Sequence, residues 1–278
     1  MRADVITAPV AGAWRYVVAD TVTMVKRNVI RLSREPDVLL FSVVSPIMFV
    51  VLFAYVFGGV IEVSEAAGGY REYLVAGVFA QTAVSATPYT GAALVEDMRR
   101  GIIDRFRTLP MAPGAVLIGR TTSDVVINVV GLAVMSLAGL VVGWRVRGSW
   151  LDAMAAFALL VVFAYAVSWV MALIGLLVRT AEAFHGASLL LVFPLTFVAN
   201  TYIPVRELPT ILRVVAEWNP VSALTQAIRV LFGNIDPATA SQAWPMQHPV
   251  AATLLWAALL LAISVPAAVR LYARSLSR

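Results

Sequence analysis

The sequence predicts an all-α polytopic membrane protein with six transmembrane helices. It adds an amphipathic interfacial helix near the N-terminus and two short outer re-entrant or interfacial helices before the last span. Three observations carry this. Of 278 residues, 60% are hydrophobic and only 13% are charged, against about half and a quarter in a globular domain. The mean hydropathy is +0.85. Uncharged runs about as long as the ~30 Å hydrocarbon core requires recur along the chain.

Residues 14–35 come first. Trp14, Val17, Val18, Thr21, Val22, Val25 and Val29 recur at three- and four-residue steps, and Arg15, Asp20, Arg27, Arg31 and Arg34 lie largely off that stripe. This describes a helix lying on a membrane surface. Residues 38–57 hold no charge and form the first span, with Pro46 expected to kink it. Residues 73–95 form an unusually polar second span. The third is expected at 125–144, with Asp124 near its cytoplasmic edge. A turn bounded by Trp144 and Trp150 follows, the two indoles serving as interface anchors. The fourth and fifth spans are expected at 153–178 and 186–205, the fifth broken by Pro194, and the sixth at 250–269. Between the last two, residues 204–249 form an outer amphipathic segment. Asn219-Pro220 is a cap followed by a proline at the first helical position, and Gly233-Asn234 stops the helix that it starts.

Charge sets the orientation. Of 21 basic residues, only Arg71, Arg145, Arg147, Arg206, Arg213 and Arg229 fall on the side opposite the termini. Both termini and the loop at 96–120 are therefore expected in the cytoplasm of a cell membrane. The basic excess is topological and does not point to nucleic acid.

Composition excludes several chemistries. Without cysteine, no disulfide, thiolate metal site or cysteine nucleophile exists. The single lysine, Lys26, does not follow a phosphate-loop glycine, so no nucleotide-binding loop of that kind is present. His185 and His248 are expected on opposite sides of the membrane. No metal site, bound cofactor or intramembrane enzyme is expected, and no deeply placed charge marks an ion relay.

The loop at 96–120 is the most informative stretch. Glu96 and Asp97 open it and Gly101 follows. Ile102, Ile103, Phe106 and Leu109 form an apolar face among Asp104, Arg105 and Arg107. Pro110 and Pro113 stop the helix, and Arg120 closes the stretch. An ordinary positive-inside loop explains the arginines but not the order of the other residues. Glu96 and Asp97 have two readings: contact with a partner, or pairing with Arg99, Arg100 or Arg120 inside the chain. Gln81, Ser85, Thr87 and Asn200 are candidates for a substrate pathway, helix packing being the competing reading of the polar second span.

Glu96-Asp97, Gly101, Asp104-Arg105, Arg107, Leu109-Pro110, Gly119-Arg120 and Asp124, with Pro204 to Leu212, Trp218-Asn219-Pro220 and Arg229, resemble the type-2 family of ABC transporter permeases. The similarity is to its drug-resistance, daunorubicin exporter-like branch and covers roughly residues 21–274. It implies a non-catalytic subunit of a bacterial inner-membrane exporter. It also implies a second permease subunit, identical or related, and two ABC ATPase subunits that carry ATP and magnesium. By the same resemblance, Glu96, Asp97, Gly101, Ile103, Asp104, Arg105, Phe106, Arg107, Leu109, Pro110 and Arg120 couple the chain to the ATPase. The implied cargo is a hydrophobic or amphipathic drug-like or lipid-like molecule. Export of a polysaccharide or cell-wall glycolipid is the alternative within transport. An ATP-independent secondary transporter or channel is the alternative from another class.

Overall fold

The computed structural model describes residues 44, 47–53, 55–56, 69–101, 113–236 and 241–275, and every regular element among them is helical. The surface helix expected at 14–35 and the middle of the loop, 102–112, lie outside the described residues. Of the first expected span, residues 47–53 are helical.

The second expected span is two helices, α1 (Gly69–Ser85) and α2 (Pro88–Arg99). Pro88 has no N–H to donate to the preceding turn, and it takes the first helical position of α2, where none is needed. The break is closed by Thr87, whose hydroxyl and N–H both donate to the Val84 carbonyl, at 2.7 and 3.1 Å.

Helix α3 (Pro113–Val142) starts well before the expected boundary at 125 and places Arg120 and Asp124 inside the helix. It ends at Gly143, whose φ of +104° suits only glycine. Helix α4 (Trp150–Leu177) opens on a reciprocal cap. The Ser149 hydroxyl accepts from the Asp152 N–H at 3.1 Å, and the Ser149 N–H donates to the Asp152 carboxylate at 3.3 Å. Of the two tryptophans flanking this turn, Trp150 is exposed but Trp144 is buried. Its indole meets the rings of Phe79 and Phe232, each at 5.1 Å between centroids. Trp144 is thus a core residue and no interface anchor.

Helix α5 (Ala181–Phe197) starts earlier and stops earlier than the 186–205 expectation, with Thr180 capping it and Pro194 inside. The described part of residues 204–249 contains α6 (Thr210–Trp218), α7 (Pro220–Phe232) and a single turn, α8 (Trp244–Gln247). Helix α7 begins where the Asn219 carboxamide accepts from the Val221 N–H at 2.8 Å, and it ends at Gly233, φ +73°. It does not lie on a surface, because Leu224, Ile228, Arg229 and Phe232 are fully enclosed. Helix α9 (Pro249–Ser275) completes the described chain.

Among the described residues, three helical segments are long and apolar enough to cross a membrane: Leu117–Val142, Trp150–Leu177 and Pro249–Ala273. The shorter apolar helices are Ala181–Phe197 and Pro220–Phe232. Helix α4 is the hub, packing against α2, α3, α7 and α9. Its crossing with α2 is a backbone contact. A Cβ on Gly175 would lie 2.8 Å from the Gly91 carbonyl, and one on Gly91 would lie 2.5 Å from the Met171 carbonyl. Small residues at such crossings let helices in lipid gain close van der Waals contact. Val141 and Leu190 stand bare on the outside, as lipid-facing side chains must.

Candidate functional site

The two ends of the charged loop meet in the structure. Asp97, in the last turn of α2, lies 3.7 Å from the Arg120 guanidinium in α3, and both side chains are buried. The Arg120 guanidinium also stands 5.7 Å from the centre of the Tyr89 ring. Glu96 faces outward and accepts from Arg100 Nε at 2.6 Å. Gly101, φ +64°, turns the chain out of α2 in the left-handed conformation. Asp97 and Arg120 thus pair inside the chain and pin the helices that bear the loop. Ile103, Asp104, Arg105, Phe106, Arg107, Leu109 and Pro110 lie outside the described residues.

Asp124 is deeper than the sequence suggested. It sits eleven residues into α3 and is 3% exposed, beside Arg120 on its own helix and Ser168 on α4. The sequence sets the third span at 125–144, which leaves Arg120 and Asp124 before it, whereas helix α3 already begins at Pro113.

Two polar clusters at the opposite end escaped the sequence. In the first, Glu72 of α1 is buried and accepts from Arg147 Nε and Asn234 Nδ2, both at 2.8 Å. This acceptor raises the Arg147 pKa further above its ordinary value. Asn234 also accepts from the Trp144 indole at 2.8 Å, so the turn before α4, the end of α7 and the start of α1 are tied together.

The second centres on Arg229, which is completely enclosed. Its guanidinium donates to the carbonyls of Tyr73 at 3.0 Å, Asn200 at 2.8 Å and Thr201 at 2.8 Å, and lies against the Tyr73 ring. Carbonyl dipoles and a ring face, rather than a carboxylate, offset this charge. Gly77 makes the approach possible, because a Cβ there would lie 2.9 Å from the guanidinium. A lone arginine within an otherwise uncharged helix is the available signal.

The pathway candidates scatter. Ser85 is exposed near the end of α1 and Gln81 is half-buried one turn earlier. Thr87 is enclosed with its hydroxyl committed to Val84. Asn200 is buried in the Arg229 cluster, where its N–H donates to the Ser222 hydroxyl at 3.0 Å.

Comparison with known proteins fits this architecture. The family described as "ABC-2 type transporter" matches residues 19–232. The chain is 32% identical over 237 residues to the daunorubicin resistance ABC transporter permease protein DrrB1 of Streptomyces coeruleorubidus, covering 81% of this chain and 83% of that one. It is 22% identical over 247 residues to the probable doxorubicin resistance ABC transporter permease protein DrrC of Mycobacterium tuberculosis, covering 89% and 86%. It is 22% identical over 224 residues to the putative transport permease ycf38 of Porphyra purpurea, covering 79% and 76%. The buried charge pair at the loop mouth, the apolar helices and the match across both halves of the chain converge: this protein belongs to the ABC-2 type transporter family.

Proposed function

We propose that the chain is the membrane-spanning subunit of an ATP-driven exporter. It moves a hydrophobic or amphipathic, drug-like or lipid-like molecule out of the cytoplasm or the inner leaflet. The 32% identity to a daunorubicin resistance permease over most of both chains carries this reading. Energy comes from separate ABC ATPase subunits that hold ATP and magnesium, two per transporter. A second permease subunit completes the assembly in a bacterial cell membrane, with both termini in the cytoplasm.

In this mechanism the ATPase grips the loop between α2 and α3. Ile103, Phe106 and Leu109 fill an apolar groove on it, and Arg105 and Arg107 meet its carboxylates. The Asp97–Arg120 pair, 3.7 Å apart and buried, keeps the two loop-bearing helices in fixed register, so a push on the loop moves both. Capturing the ABC ATPase with this chain from native membranes tests the coupling. Arg105→Glu and Phe106→Ala are expected to cut the captured ATPase by roughly tenfold, as loss of a central contact does. Undiminished capture and transport in both variants would refute the coupling assignment.

A second expectation concerns the path. Ser85 is exposed on α1, so Ser85→Trp obstructs export while leaving ATPase capture intact. Normal daunorubicin export by Ser85→Trp would remove this face of α1 from the path.

A further inference from the structure

Three of the chain's seven tryptophans converge on one cleft. Trp218 ends α6, Trp244 opens α8 and Trp256 lies near the start of α9. Pro245, Ala252 and Leu255 stand between them, and the cleft has a volume of about 190 Å³. Helix α8 packs on both α6 and α9, so it holds the indoles around a common space. Trp218, Trp244 and Leu255 are 55%, 44% and 60% exposed, which leaves the cleft open to entry, while Ala252 is buried at its floor. An aromatic belt at the membrane surface accounts for tryptophans at this depth singly. It does not account for their convergence.

Volume and chemistry choose the occupant. An engineered cavity of about 150 Å³ lined by apolar side chains takes up benzene, and drug-sized ligands occupy about 300 Å³ or more. A cleft of about 190 Å³ therefore suits a fused ring system rather than a whole drug-sized molecule. A lipid acyl chain gains little by entering, because lipid tails are already as apolar as the walls. It also gives up rotational freedom that a fused ring never had. An aromatic ring instead makes offset or edge-to-face contacts with indole, which lipid tails do not offer. The indole faces are available for this. Trp144 in the core commits its ring to Phe79 and Phe232. Among the described residues, no ring packs on Trp218 or Trp256, and Trp244 meets only the His248 imidazole, at 5.6 Å. The lining carries no charge. Polar groups flank α8, where the Gln247 amide donates to that of Gln242 at 2.9 Å, next to the exposed His248.

We infer that this cleft binds the flat fused-ring part of an uncharged aromatic amphiphile, whose polar end meets the Gln242 and Gln247 amides. Taking that amphiphile for the exported cargo rests on the reading above. Binding itself needs neither ATP nor an ATPase.

The test uses dansylamide, an uncharged naphthalene whose emission is excited by energy transfer from tryptophan. It is titrated into the full chain in phosphatidylcholine nanodiscs, without nucleotide. A saturable component is expected above the linear rise from partition into lipid. Ala252→Leu fills the floor and keeps all seven tryptophans, and it is expected to raise the dissociation constant by roughly tenfold, as crowding of a packed site does. Trp218→Leu keeps the wall apolar and removes one ring, for a rise of roughly threefold, the share of one aromatic pair. It carries the comparison if Ala252→Leu does not reach the membrane. Trp150→Leu, outside the cleft, leaves the constant unchanged. Quinoline, a second fused aromatic, is expected to displace the probe at lower concentration than decanol, which stands in for an acyl chain. Displacement by decanol at equal or lower concentration than quinoline would identify a lipid groove and overturn the inference. So would the absence of a saturable component, or unaltered affinity in Trp218→Leu. Each of these results leaves the ATP-driven reading standing, because that reading fails only on transport.

Discussion

Arg229→Met is expected to yield a protein that melts far below the parent and is recovered poorly from membranes. The parent guanidinium satisfies the carbonyls of Tyr73, Asn200 and Thr201, which belong to two separate parts of the chain. Methionine fills much of the volume but donates nothing. Asn200 retains the Tyr73 hydroxyl as a donor at 3.1 Å, so the loss is less than three full hydrogen bonds. Each buried acceptor left short costs about 1–3 kcal/mol, and a total of about 3 kcal/mol follows. Arg229→Lys keeps the charge but brings one ammonium to positions that a planar fork served, so it falls between the two. Thermal unfolding in detergent, followed by size-exclusion recovery, ranks the three. Equal melting of Arg229→Met and the parent would show that the cluster does not hold α7 to α1.

Arg120→Met has the second large effect, for a different reason. It leaves Asp97 buried without its cation, and removing one partner of a buried ion pair costs about 3–5 kcal/mol. The cost comes from uncompensated charge rather than from lost contact. Neutralising that carboxylate in the same chain, with Asp97→Asn, therefore recovers more than half of the lost melting temperature. Should the double variant melt no higher than Arg120→Met alone, the electrostatic account of this pair is wrong.

What the sequence revealed and what it hid follow one physical line. Local signals were legible. Asn219-Pro220 and Gly233 bound α7 because capping depends on residues next to one another. The long apolar runs behind α4 and α9 needed only composition. The signals that failed depend on distant partners. Arg120 and Asp124 looked like loop residues because hydropathy penalises each charge singly, whereas in the fold they share one cluster with Asp97. Trp144 looked like an interface anchor, and only its bond to Asn234, ninety residues away, places it in the core. Arg229 counts among the basic residues opposite the termini, and only carbonyls from elsewhere in the chain show that it is enclosed. Pro88 was a local signal passed over, since membrane helices tolerate proline and the polar run around it read as packing. At the loop, the sequence left Asp97 two readings, and the 3.7 Å approach to Arg120 places it within the chain.

The most direct measurement is movement of a hydrophobic or amphipathic drug-like or lipid-like cargo into sealed inside-out vesicles that contain this chain with or without its captured ATPase. The account predicts accumulation only when the ATPase, ATP and magnesium are all present, and none from a proton or sodium gradient alone. Accumulation driven by an ion gradient with no ATPase present would contradict it.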